Sequence, residues 1–121
     1  MNATLNMPVA SILPGGQPLQ SCIDACNKCA QICTECLTLC LQEPDVKARI
    51  NCITMLTDCI DICNTAVCFM SRGSMHAKDI CNTCATICKK CADDCSKFKD
   101  THCQVCADTC RTCADECSKM K

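Results

Sequence analysis

The sequence predicts an all-α protein, an antiparallel up-down-up-down four-helix bundle whose core is lined with cysteine. Three observations carry that prediction. Cysteine, 20 of 121 residues, recurs in steps of three and four, the period of one helix face. Pro44, Gly73 and the Lys99–Thr101 region break the chain after Pro18 into four segments. The 121 residues suit one small domain, and the loops between segments are short, so sequence neighbours pack antiparallel.

The first 20 residues read as an irregular arm ending at Pro14-Gly15-Gly16-Gln17-Pro18. They hold no Lys or Arg, and the apolar run Val9–Leu13 is short and flanked by Pro8 and Pro14. A secretory leader needs a basic start and a longer apolar stretch, so a cytoplasmic protein is expected. The bundle proper is expected over residues 21–121. Ser21 is the expected cap of a first helix over about 21–43, with Asp24 three residues on. Asp45 caps a second, about 45–70. Gly73 supplies a left-handed stop and Ser74 the cap of a third, about 75–97. Asp100 or Thr101 caps the fourth, about 101–120.

The cysteine phase is regular on three of these helices. It falls at Cys22, Cys26, Cys29, Cys33, Cys36 and Cys40 on the first. On the third it falls at Cys81, Cys84, Cys88, Cys91 and Cys95, and on the fourth at Cys103, Cys106, Cys110, Cys113 and Cys117. Residues 81–99 (CNTCATICKKCADDCSKFK) and 103–121 (CQVCADTCRTCADECSKMK) repeat one heptad, C-x-x-C-A-x-x. The Ala beside each stripe is small enough to let helices approach closely. The second helix is irregular, with Cys52, Cys59, Cys63 and Cys68. Met55 and Leu56 share its face, and Met55 either fills core space or offers a soft thioether ligand.

Composition narrows the function. With no Trp, no Tyr and only Phe69 and Phe98, cysteine takes over much of the core, as a small residue that buries readily. The net charge of −1 gives no electrostatic footprint for nucleic acid or an anionic membrane, and no stretch is expected to span a bilayer. Disulfides fit a regular helical stripe poorly, because pairs along one helix lack the required Cβ geometry. The bacterial ferredoxin run is absent. No Cys stands apart as a nucleophile beside a His and an orienting group, so no enzyme is expected. Metal binding remains. Eight C-x-x-x-C pairs, from Cys22–Cys26 to Cys113–Cys117, put thiols next to one another along a tube about 30 Å long. Filling such a core with Cys₄ zinc sites would bury a formal −2 at each, with no inward Lys or Arg expected to offset it. One Cu(I) neutralises one thiolate, so multiple Cu(I) ions per chain are the expected cargo. A zinc or general soft-metal buffer is the competing function, and a disulfide-based structural or redox-sensing protein the third.

The C-x-x-C-A-x-x heptad, the four Cys-rich helical segments and the His102-Cys103-Gln104-Val105-Cys106 start of the last helix resemble the copper storage proteins, over about residues 20–120. The resemblance is closest to their cytosolic branch. It implies Cu(I) storage inside the bundle, assembly into a homotetramer, and metal entry at an end where His102 and Cys103 line the mouth. The topology gathers Cys40, Cys52, Cys95, His102 and Cys103 at that end. Cys22, Cys68, Met70, Met75, His76, Cys81, Cys117 and Met120 gather at the other, where His76 is a further candidate ligand and the methionines either seal the end or line a second entry.

Overall fold

The structure, a computed structural model, describes residues 11–120, so the first half of the N-terminal arm lies outside the described residues. Four helices follow in order: α1 (Gln20–Leu41), α2 (Ile50–Ser71), α3 (Ala77–Ser96) and α4 (Thr101–Ser118), with one 3₁₀ turn, Val46–Arg49, leading into α2. The described residues contain no strand. Each helix packs on the two beside it in the ring α1–α2–α3–α4–α1, and the diagonal pairs make no close backbone approach. Short connections force successive helices to run antiparallel.

The helix ends differ from the capping expected of them. α1 begins at Gln20, with Leu19 rather than Ser21 in the cap position, and Asp24 accepts a bond from the Gln20 side chain at 2.8 Å. None of the four α-helices has a side-chain N-cap bond. Two expected caps are diverted: Asp45 and Asp100 both give their carboxylates to Arg49. A bond to a charged guanidinium is worth more than a bond to a backbone amide, so the caps lose. The residues after Asp45 tighten into the 3₁₀ turn, and α2 starts five residues later than expected. Gly73 does take the left-handed conformation, φ 65°.

The core is cysteine. The six Cys of α1, the five of α3 and the five of α4 are all buried. Ala30, Ala85, Ala92, Ala107 and Ala114, each following a C-x-x-C, are buried beside them. On α2 the buried stripe is Cys52, Leu56, Cys59, Cys63, Ala66 and Met70. Its steps of four and three match the other helices, with three Cys positions filled by Leu, Ala and Met. Cys68 comes five residues after Cys63, which turns it off that face, and it is exposed. This corrects the inward placement expected for it. Met55 is also displaced: Leu56 takes the core position and Met55 only packs at its margin. Val46–Ser71 is long and apolar enough to cross a membrane by length and composition, contrary to expectation. Its Cys, Leu and Met face is spent on the bundle core, while Ile50 stays exposed.

Candidate metal centre

Heptad phasing on antiparallel helices brings sulfurs from all four helices onto one axis. Starting near the α1 N-terminus, Cys22 and Cys26 lie 3.5 and 3.6 Å from Cys117. Cys26 then meets Cys113 at 3.7 Å, and Cys63 meets Cys84 at 3.8 Å and Cys113 at 3.9 Å. The middle is bridged by Cys59–Cys88 at 3.6 Å and Cys29–Cys59 at 3.7 Å. Cys33 continues the column, 3.6 Å from Cys110 and 3.7 Å from Cys106. Cys52–Cys95 at 3.6 Å and Cys40–Cys103 at 3.8 Å close it. Sets of four sulfurs with all members within 4.8 Å of one another include Cys26/Cys63/Cys84/Cys113, Cys29/Cys63/Cys88/Cys113 and Cys29/Cys33/Cys59/Cys110. Cys29, Cys63 and Cys113 each belong to two of these sets, so the column offers bridging positions rather than isolated cages.

These separations are well beyond the S–S bond length of about 2.05 Å. A metal–sulfur bond of about 2.3 Å holds sulfurs about 3.8 Å apart in a tetrahedron and about 4 Å apart in a trigonal site. The column therefore suits metal with little rearrangement. Within the apo column the thiols share protons. Contacts to its neighbours, Cys113 first, favour the thiolate of Cys26, while Cys63 is held protonated by its contacts, again with Cys113 first. Burial raises the Cys81 thiol outright.

At the α4 N-terminus the column ends in a mixed site of Cys36, Cys40, Cys103 and His102. His102 is clamped from outside: its Nε2 lies 3.1 Å from Glu43 Oε1 and 3.5 Å from Asp100 Oδ2. Nε2–H is therefore assigned as the donor to Glu43. That leaves the Nδ1 lone pair facing inward, 3.5 Å from both Cys36 Sγ and Cys103 Sγ. A carboxylate fixing the outer nitrogen of an inward-facing imidazole is the usual support of a metal-binding His.

The same end holds a cation that sequence reasoning missed. Arg49 is 3% exposed. Its Nη1 reaches Cys103 Sγ at 3.5 Å and Cys40 Sγ at 3.7 Å. The guanidinium pairs with Asp100 through both Nη1 and Nη2 and with Asp45 through Nε at 2.7 Å. It also stacks 4.5 Å from the Phe98 ring centroid. Arg49 holds the Asp100 carboxyl below its ordinary value by these bonds, and the bonds to Asp100 strengthen the Arg49 charge against the cost of burial. The expectation of no inward Lys or Arg is thus wrong at one end. The reason is the 3₁₀ turn, which folds Arg49 back over the column. The sulfur sets along the interior have no such cation beside them, so the charge preference for a monovalent ion holds there.

The remaining candidates stand apart. His76 is an exposed helix-start residue whose Nδ1 lies 3.9 Å from Asp79 and faces no sulfur. Met75 is 89% exposed, whereas Met70 is fully buried in the core cluster. Asp45 and Arg49 show an i,i+4 signal in the sequence, but nothing local indicates that the pair turns inward. Glu43 carries no motif at all.

Comparison with known proteins agrees with this arrangement. The family model described as "Copper storage protein" matches residues 16–121. A cysteine-rich protein of Bacillus subtilis, YhjQ, described as uncharacterized, is 42% identical over 84 residues, 69% of this chain and 78% of that one. Among solved structures, the Cu(I)-bound copper storage protein BsCsp3 superimposes with a TM-score of 0.81 at 42% identity, covering 84% of this chain and 95% of its own. Copper storage protein Ccsp from Streptomyces lividans, loaded with 10 copper equivalents, gives 0.81 at 35% identity, covering 87% and 86%.

Proposed function

The chain belongs to the copper storage protein family, and from that premise we propose which residues take the metal and from which end. The protein binds and stores multiple Cu(I) ions through the thiolates of its bundle core. The 19 buried Cys are the proposed ligands; Cys68, Met55 and His76 are not. His102 Nδ1, with Cys36, Cys40 and Cys103, forms the receiving site. The observation that carries this assignment is the Glu43–His102 clamp, which aims one nitrogen at two core sulfurs. Storage proceeds without turnover and in the cytosol, the compartment named for the Streptomyces lividans relative. It occurs in a homo-oligomer, a tetramer by resemblance, for which exposed Leu41 and Ile50 offer apolar surface.

Anaerobic titration of reduced protein with Cu(I) against a strong chelator tests this. The expected result is a capacity that follows the buried thiols, unchanged helix content, about one proton released per ion bound, and the same capacity in Cys68→Ser. Saturation far below the thiol count overturns the reading.

A further inference from the structure

We propose that Cu(I) enters sideways, through a groove between α1 and α4, and that Arg49 plugs the axial opening beside it. This rests on the His102 end being the receiving end. Looking down the column from that end, the 3₁₀ turn and the Arg49 side chain lie across the last sulfurs. Arg49 is 3% exposed, is bonded to Asp45 and Asp100, and lies against Phe98. A cation moving along the axis toward Cys40 or Cys103 would have to displace the guanidinium that lies 3.5–3.7 Å from those sulfurs and is tied to two carboxylates. The axial route is therefore closed sterically, by a buried side chain held in place through its bonds.

The lateral route is open. A groove of about 390 Å³ runs over the α1–α4 seam, lined by Ile32, Glu35, Cys36, Leu39, His102 and Val105. Leu39 and Val105 are partly exposed on its rim. Cys36 and His102, both in its lining, hold Sγ and Nδ1 3.5 Å apart. Its lining is mostly apolar, with Glu35 as the anionic group, so nothing cationic in the lining repels the ion. The occupant is a single cuprous ion in transit. Transfer is ligand exchange without redox change: the bond to the donor's ligand breaks, bonds to His102 Nδ1 and Cys36 Sγ form, and the thiol proton leaves to water. At Cys36 the ion has Cys40 and Cys103 within 3.9 Å to complete its site, and the Cys33–Cys106 pair is the next step inward along the column.

Stopped-flow uptake by the full apo chain from a Cu(I)–chelator complex tests the route. Filling the groove with Leu39→Trp or Val105→Trp is expected to slow uptake several-fold while final capacity stays intact. A similar filling of the distant groove beside Ile23 and Val67, by Asn27→Trp, is expected to leave the rate unchanged. Adding Arg49→Ser to the groove-filled chain is expected to restore fast uptake by opening the axis. Unchanged uptake in both groove-filled variants overturns lateral entry, as does a change in their oligomeric state on gel filtration, which would make the groove an interface between copies. Failure of Arg49→Ser to restore uptake in a chain of native helix content overturns the plug. If Arg49→Ser does not fold, the groove-filled pair still decides the route. His102→Ala separates the two readings: slowed uptake there with no effect of groove filling retains the receiving end and rejects the route.

Discussion

The two ends of the thiol column are closed by opposite means. At the α1 N-terminal end Met70, fully buried, packs into the core with the thiols, and His76 stays outside in solvent. At the α4 N-terminal end a buried Arg, two Asp, a Glu and a His form a hydrogen-bonded cover in which every buried side-chain N and O atom among the described residues has a partner. The polar end presents a nitrogen ligand to the sulfurs, while at the apolar end His76 is exposed beside Asp79. An apolar seal costs no desolvation of charge and does nothing further. A polar seal must satisfy each of its groups, and in doing so it orients His102.

The contrast can be broken at either end. The largest expected effect is Met70→Ala, which leaves a cavity in the apolar seal and destabilises the apo protein by about 3 kcal/mol, read as a lower denaturant midpoint. Uptake through the His102 end is expected to keep its rate. A faster rate in that variant would make the Met70 end an entry. At the polar end, Glu43→Gln weakens the support of the imidazole. Cu(I) affinity of the receiving site is expected to fall about tenfold, resolved as the weakest step of a chelator competition, with total capacity unchanged. No loss of affinity there would leave Glu43 with no part in orienting the imidazole. The smallest effect is on pH. Arg49 holds the Asp100 carboxyl below its ordinary value, so the pair contributes stability that is fully present above the unfolded carboxyl value of about 3.9 and is lost as pH falls through the folded value. The apo denaturant midpoint should therefore fall on acidification more in the native chain than in Asp100→Asn. Equal slopes would place the acid sensitivity elsewhere.

The column itself was readable because its signal is periodic. Cys22 through Cys40, Cys81 through Cys95 and Cys103 through Cys117 each hold the three-four step, and one helix face fixes their direction. α2 was half readable. Its stripe continues through Leu56, Ala66 and Met70, so counting cysteines alone drew Cys68 inward, although its spacing from Cys63 is off phase. The caps were misread for a different reason. Asp45 and Asp100 have the right type and position for helix starts, but Arg49 takes both, Asp45 from four residues along its own turn and Asp100 from the start of α4. For Asp100 the competitor arrives only when the helices assemble, while for Asp45 it is a neighbour in sequence that cap propensity does not weigh.

The sequence by itself determined four antiparallel helices, a cysteine core and soft-metal cargo, because each follows from a repeat spacing and the chemistry of one residue type. The tertiary structure alone decided how the column ends. The turn of the Val46–Arg49 segment carries a cation over Cys40 and Cys103, and the meeting of Glu43, in the turn after α1, with His102 on α4 turns Nδ1 toward the sulfurs. Those are contacts between residues about 50 to 60 positions apart in the chain for Arg49 with Asp100 and Glu43 with His102. They carry no period, and only packing brings them together.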